Sequence, residues 1–288
     1  MVELDSEPKI KDLIGTLRNF FNYLLHHDVC PEYVDQVQAC REICDQAVTE
    51  FWNIAQVAPL LPGTFNQACS KLFGGTFQKM NTTNEGFDDS ASGSPIGITE
   101  DQAYQAFKIG FTAYATDTMI ATYKTESVTQ SFRILSTEEA SLEVTATALG
   151  SADPETLPLY NSHHAHNLKP LGKLYAQTWH NPTALAEDLT EDEEAELASK
   201  PSSLKEYEFW LEDEVLEKCF VGMKMEADVK ELSFGVCYFD AVFGVYASFF
   251  NVLPNGLMVG WREVEKEWLK PREERRSAEG SVVEEGGG

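Results

Sequence analysis

The stretch that decides the fold class spans residues 223–230 and reads MKMEADVK. Apolar and charged residues alternate along it, which is the pattern of a β-strand with one face in a core and the other in solvent. The segments 232–239 and 241–253 follow, and their many Phe, Tyr and Val residues predict two more deeply buried strands. The C-terminal third of the chain is therefore predicted to form a sheet.

The N-terminal part of the chain has a different period. Apolar residues recur every three or four positions over residues 10–25 and again over 34–51, which predicts two amphipathic helices. A short break at His26–Cys30 separates them, and Pro31 suits the first turn of the second helix. Helices followed by strands predict an α+β fold, in which N-terminal helices pack with a C-terminal, mainly antiparallel sheet.

Residues 1–269 are predicted to form a single α+β domain with a flexible surface loop at about residues 79–98. Residues 270–288 are charged and end in three glycines, which predicts a disordered tail. Thr99 is a good N-cap for a helix that continues to about Ile120. Residues 127–149 suit either a strand or a helix start, and the proline-punctuated stretch 153–186 predicts irregular structure.

Charge is the strongest feature of the composition. The 288 residues include 47 acidic and 22 basic ones, which gives a formal net charge of −25. Such a surface repels phosphates and anionic lipids, so direct binding to DNA or RNA is not expected, and a basic partner is favoured. Simple solubility is the alternative explanation of the charge. No apolar run approaches the length of a membrane span, and the acidic N-terminus does not resemble a signal peptide.

The six cysteines are irregularly spaced and form no C-x-x-C pair. The spacing favours reduced and mostly buried thiols. Cys40 and Cys44 are one helical turn apart, and both are predicted to face the core.

Motifs for catalysis are missing from the sequence. It contains no phosphate-binding G-x-x-x-x-G-K-[ST] loop, no G-x-G-x-x-G, no H-E-x-x-H and no G-x-S-x-G. No cofactor is therefore predicted.

Histidines occur in two clusters. The first lies in His26–Cys30, where a helix-connecting turn is the favoured interpretation and a metal site the alternative. The second comprises His163, His164 and His166, with His180 further along. This second cluster suits either a loop held by hydrogen bonds or a metal-dependent enzyme in which these imidazoles bind the ion together with carboxylates.

Two acidic features are candidates for function. The first is a run whose members are predicted to contact a protein partner or to form a solvated helix face: Glu191, Asp192, Glu193, Glu194 and Glu196. The second is Asp240, a single acid between two apolar runs. Asp240 is predicted to lie in a turn between strands, because inside a strand it would need a buried partner. Trp210, Trp261 and Trp268 suit either the core or an interface.

Four strings of the sequence resemble the fungal Argonaute-binding subunit of the Argonaute siRNA chaperone (ARC) complex. They are Asn22–Tyr33, Leu72–Gly75, Cys219–Ala227 and Phe249–Asn255, and the resemblance extends from about residue 17 to about residue 269. It implies a non-enzymatic factor of RNA interference in the nucleus and cytoplasm. The expected partners are an Argonaute protein, a second ARC subunit and, through Argonaute, an siRNA duplex.

The resemblance further implies that the protein restrains Argonaute slicing and passenger-strand release and supports small-RNA-directed heterochromatin assembly. No catalytic residue is carried over. The acidic run at Glu191–Glu196 adds the hypothesis that this segment docks near the basic nucleic-acid channel of Argonaute. A structural subunit of another intracellular complex is the remaining alternative.

Overall fold

The computed structural model describes residues 6–79, 97–129, 131–152, 158, 160, 168–180 and 204–251. Its helices are α1 (Glu7–His26), α2 (Val34–Val57), α3 (Thr64–Phe73), α4 (Glu100–Tyr114), α5 (Asp117–Thr129) and α6 (Asp213–Leu216). Its strands are β1 (Ile134–Ala148), β2 (Leu171–Thr178), β3 (Glu206–Glu212), β4 (Lys224–Leu232) and β5 (Cys237–Tyr246). Helices thus precede the sheet, and the predicted α+β class is confirmed.

The five strands form a closed barrel in the order β1-β2-β3-β5-β4. All neighbouring strands are antiparallel except β3 and β5, which run parallel and share the single residue pair Phe209–Cys237. The ladder between β3 and β5 is therefore very short, and contacts outside the sheet help to close the barrel.

The alternation predicted for residues 223–230 is confirmed in β4. Met225, Ala227 and Val229 are buried in the barrel core, whereas Glu226 and Asp228 between them are only partly covered. Each fully buried aliphatic side chain contributes about 2 kcal/mol, which fixes the strand's register.

The prediction of two strands at 232–239 and 241–253 is wrong. Residues after Leu232 form a tight turn in which Gly235 has φ +90° and donates its N–H to the Leu232 carbonyl. A single strand, β5, follows, and Asp240 lies near its centre. The prediction of a turn at Asp240 is wrong because buried partners satisfy its carboxylate within the strand.

Burial in the folded protein also decides the secondary structure of the segments for which the local sequence pattern is ambiguous or irregular. Residues 134–148 form the 15-residue strand β1, and β2 lies inside the stretch 153–186 that was predicted to be irregular. Leu174 and Ala176 of β2 fill the barrel, so burial outweighs the local turn signals.

The helix predicted from Thr99 begins as expected but ends early. The Thr99 hydroxyl accepts the backbone N–H of Gln102, and the Gln102 side chain accepts the Thr99 N–H, which completes a capping box. The chain leaves the helical conformation at Ala115, so two helices, α4 and α5, replace the single one.

A second core lies between α3, α4, α5 and the outside of the barrel. It is built from aromatic rings whose centroids lie 4.8–6.0 Å apart: Phe73, Phe107, Phe111, Tyr123, Phe132 and Phe234. Trp210 joins this core, so its role is packing.

The cysteine predictions are partly wrong. Cys44 and Cys69 are buried as predicted, but Cys40 is exposed although it lies one turn from Cys44. The reason is that α2 is covered along one narrow side only.

Several predictions lie outside the described residues. They concern most of the loop at 79–98, the possible helix at 261–269 with Trp261 and Trp268, the domain boundary at 269 and the tail at 270–288.

Candidate partner-binding surface

The helices α1 and α2 form an antiparallel hairpin, as the sequence predicts. Ile10 and Ile14 of α1 are buried against Cys44 and Ala47 of α2. These four side chains form a narrow core of their own, separate from the barrel core.

The base of the hairpin is fixed to the barrel by polar and aromatic contacts. The buried Glu50 carboxylate of α2 accepts the backbone N–H and the hydroxyl of Ser248, each at 2.8 Å. Phe51 packs edge-to-face on Phe249, with ring centroids 5.8 Å apart. Val57, at the end of α2, reaches the barrel core. The hairpin is therefore held in one orientation by its base.

The outer side of α1 carries an apolar stripe without a described partner element. Leu13, Leu17 and Phe20 follow one another at spacings of four and three, so they share one side of the helix. Their exposed fractions are 41%, 47% and 53%. Seven of the fifteen exposed large apolar side chains among the described residues belong to the hairpin, so apolar exposure is concentrated there.

The connection between the two helices is a compact turn. His27 donates its N–H to the Tyr23 carbonyl, and Val29 donates to Leu24. Asp28 between them has φ +50°, a left-handed conformation that aspartate tolerates better than most residues. Tyr33 then closes a short 3₁₀ turn by donating its N–H to Cys30. The predicted helix-connecting turn at His26–Cys30 is thus confirmed.

We call the exposed apolar and acidic residues around this turn the hairpin tip: Phe20, Tyr23, Asp28, Val29, Glu32, Tyr33 and Asp35. Tyr23, Val29 and Tyr33 are each at least half exposed, and the Tyr23 ring packs at a tilt against His27 with centroids 4.4 Å apart. The string Asn22–Tyr33, which carries part of the family resemblance, forms this turn.

The hairpin tip is acidic, whereas two ion pairs lie nearer the base. Lys11 pairs with Glu7, and Arg18 pairs with Asp45. Residues 19–40 contain no Lys or Arg. In the part of the chain that the structure describes, no ion pair involves the tip carboxylates.

Asp240, which the sequence analysis placed in a turn, is the centre of a buried network. Its carboxylate accepts hydrogen bonds from Lys230 at 2.7 Å, from the backbone N–H of Thr76 at 2.9 Å and from the Ser70 hydroxyl. Burial by itself raises the pKa of Asp240, but the hydrogen bonds from Lys230, Ser70 and Thr76 outweigh it and leave the pKa below its ordinary value. A Cβ at Gly75 would lie 2.1 Å from the carboxylate, so only glycine fits there.

Three consecutive acids, of which the first is the last residue of β3, have comparable structural roles. The Glu212 carboxylate accepts the Phe65 N–H at 2.9 Å and caps the start of α3, and burial raises its pKa. Asp213 accepts the N–H groups of Gly150 and Ser151 at 2.7 and 2.8 Å. Glu214 pairs with Lys169. These three acids were not among the predicted site residues, because their only signal in the sequence is three acids next to an apolar strand.

A cavity of about 380 Å³ lies beside Glu212. Its lining comprises Thr64, Phe65, Gln67, Gly97, Ile98, Gln102, Ala106, Tyr160, Leu168, Lys169, Leu171, Glu212 and Glu214. Glu214 is paired with Lys169, but the Oε2 atom of Glu212 is buried and accepts no hydrogen bond within the described part of the chain, so the cavity wall carries a polar group beside its apolar ones.

Most of the remaining residues that the sequence suggests for a site lie outside the described part of the chain. Glu191, Asp192, Glu193, Glu194 and Glu196 lie outside the described residues, as do His163, His164 and His166. His180, after β2, is exposed. Over the described ranges, no three His, Cys, Asp or Glu side chains are grouped so as to hold a metal ion.

The sequence does contain a signal for the exposed stripe. Residues 10–25 place apolar side chains over one broad arc of α1, with Ile10 and Ile14 toward one edge of the arc and Leu13, Leu17 and Phe20 toward the other. A single partner helix covers only part of such an arc, so the stripe is left exposed.

None of the helices in the described segments is long and apolar enough to cross a membrane.

The fold and surface define an α+β barrel protein that carries a helical hairpin with an exposed apolar and acidic end. The family model of the Argonaute siRNA chaperone (ARC) complex subunit Arb1 matches residues 1–264. The chain therefore belongs to this family, whose name implies a complex with Argonaute. No curated protein and no solved structure is significantly similar to the chain.

Proposed function

We propose that the chain is a non-catalytic, Argonaute-binding subunit of the ARC complex. It binds Argonaute together with a second ARC subunit and contacts the siRNA duplex only through Argonaute. It restrains slicing and passenger-strand release, and it supports small-RNA-directed heterochromatin assembly from the nucleus and cytoplasm. The family match over residues 1–264 is the observation that carries this proposal.

The environment of the buried acids supports a binding role. Glu50 and Asp240 are each engaged with backbone amides or with a lysine of the protein itself. Such contacts hold elements together, and they leave these carboxylates without the free position that an acid or base in catalysis requires.

The acidic run at Glu191–Glu196 stays a prediction for the docking of Argonaute. Reversing the charge of Glu191, Asp192, Glu193 and Glu194 is expected to weaken binding and to reduce its dependence on salt. Unchanged affinity and unchanged salt dependence of the variant would exclude this segment as the docking site.

The experiment that tests the proposed function is affinity purification of the tagged chain from its native cells, followed by mass spectrometry and small-RNA sequencing. The expected eluate contains Argonaute, a second subunit and duplex small RNA. A reconstituted slicing assay then measures cleavage by Argonaute with and without the chain, and slower cleavage is expected. An eluate without Argonaute contradicts the proposal, and unchanged cleavage contradicts its inhibitory part.

A further inference from the structure

The hairpin tip combines two features that seldom lie together on a free surface. Its aromatic rings at Phe20, Tyr23 and Tyr33 are more than half exposed, and exposed carboxylates stand among them at Asp28 and Glu32. Isolated exposed apolar residues are ordinary, but several exposed rings within residues 20–33, around the turn of a helical hairpin, indicate an interface.

We infer that the hairpin tip docks a segment of the Argonaute partner that carries lysine or arginine beside apolar side chains. This inference rests on the proposed function and adds to it the surface and the chemistry of the contact.

The negative charge of the hairpin tip indicates which kind of partner binds there. Asp28, Glu32 and Asp35 have no lysine or arginine within residues 19–40 to neutralise them. They therefore favour a cationic group, while the aromatic rings offer their faces to the same group through cation–π contact. Arginine satisfies both, because its planar guanidinium stacks on a ring and donates to a carboxylate at once.

The same charges disfavour the other occupants. A nucleic acid would place phosphates against the three carboxylates. A second copy of this chain would bring an identical acidic tip and a further net charge of −25. A basic protein segment is the class that both the tip and the whole molecule attract.

The mounting of the hairpin makes the tip an effective docking element. Glu50 and Phe51 fix its base to Ser248 and Phe249, so the tip does not have to be ordered when the partner binds. A preorganised surface loses less conformational entropy on association, and more of the contact energy appears as affinity.

The test measures the affinity of the full chain for the purified Argonaute partner at two ionic strengths. One variant, Asp28→Asn/Glu32→Gln/Asp35→Asn, removes the charges and preserves side-chain size, and Asn tolerates the positive φ at position 28. A second variant, Phe20→Ala/Tyr33→Ala, removes exposed rings. We expect each to weaken binding about tenfold or more, and we expect the first to reduce the salt dependence.

A matched control, Glu139→Gln/Glu206→Gln/Glu217→Gln, removes three exposed charges from other parts of the molecule. It is expected to retain affinity close to that of the unmodified chain. If both tip variants bind as the unmodified chain does, or if the control is weakened equally, the inference is wrong while the proposed function stands. If the unmodified chain binds Argonaute neither alone nor with the second ARC subunit present, both are wrong. Circular dichroism and thermal unfolding verify that the variants are folded.

Discussion

At the scale of single residues, buried carboxylates connect elements that are distant in the sequence. Glu50 joins α2 to the chain after β5, Glu212 caps α3 from the end of β3, and Asp240 joins β5 to β4 and to the turn after α3. An ionised carboxylate accepts several hydrogen bonds at once, so one buried acid replaces several backbone contacts. The cost of burying its charge is offset only while all its partners are present.

We predict that Asp240→Asn lowers the free energy of unfolding by about 3 kcal/mol at neutral pH, because it leaves the buried Lys230 ammonium without its counter-ion. Lys230 and Asp240 have side chains that are only 13% and 4% exposed, so solvent cannot replace the lost partner. Urea unfolding of both proteins measures the difference. Asp12→Asn, which removes an exposed charge from α1, is the control and is expected to stay within about 0.5 kcal/mol.

The difference in free energy of unfolding between the unmodified chain and Asp240→Asn is expected to depend on pH in a definite direction. The pKa of Asp240 is lower in the folded protein than its ordinary value, which is about 3.9 in an unfolded chain. Its contribution is therefore complete above the unfolded pKa and lost as the pH falls through the folded pKa. The stability gap between the unmodified chain and Asp240→Asn is expected to shrink at acidic pH, and a gap that stays constant would contradict this assignment.

At the scale of elements, α3 completes the barrel where the strands do not. β3 and β5 share one residue pair, and the buried Asn66 of α3 lies at their junction. Its side chain donates to the Trp210 carbonyl of β3 at 3.0 Å and accepts the Phe239 N–H of β5 at 3.0 Å. Asn66 thus takes the place of a missing ladder hydrogen bond.

We predict that Asn66→Ala destabilises the protein by about 2–4 kcal/mol, because a buried donor and a buried acceptor lose their partner. Amide exchange at Phe239 is expected to accelerate more than exchange in β1, since the effect is local to the β3–β5 junction. Asn22→Ala, at an exposed position of α1, serves as the control for general effects. Equal protection of Phe239 in the variant and the unmodified chain would show that Asn66 does not join the strands.

The hairpin differs from the barrel in how its stability arises. The barrel surrounds its own core, whereas α1 is held mainly through Ile10 and Ile14 against α2. Apolar surface left over on α1 is the consequence of pairing two helices without a third. The exposed stripe is therefore a property of the element and not of any single side chain.

At the scale of the whole molecule, the net charge of −25 acts together with the fold. Acidic side chains face each other even across neighbouring strands, as Glu139 and Asp228 do on β1 and β4. Directly opposed like charges destabilise a sheet, so the excess is maintained at some cost to stability. The surface that results repels anions and attracts basic proteins.

We predict that the purified chain does not bind an siRNA duplex by itself at physiological ionic strength. Fluorescence anisotropy of a labelled duplex is expected to stay unchanged, since the 47 acidic residues outnumber the 22 basic ones and repel phosphates. Adding the Argonaute partner to the same sample provides the positive control. A dissociation constant below about 1 µM for the chain alone would contradict the prediction.

Sequence periodicity alone determined the helical hairpin, the strand β4 and the α+β order of the chain. These features follow from local patterns, because the repeat of apolar residues reveals which side of an element is buried. The N-cap at Thr99 and the turn at His26–Cys30 are equally local. The four strings that carry the family resemblance also needed no structure, since the family match rests on sequence.

Only the tertiary structure decided the role of Asp240, the existence of β2, the exposure of Cys40 and the free stripe on α1. Each of these depends on groups far apart in the sequence: Asp240 on Ser70, Thr76 and Lys230, and the stripe on the fact that only α2 covers α1. A pattern in the sequence indicates that a side chain prefers burial or a partner. Whether it finds one is decided by where the folded chain places the rest of the molecule.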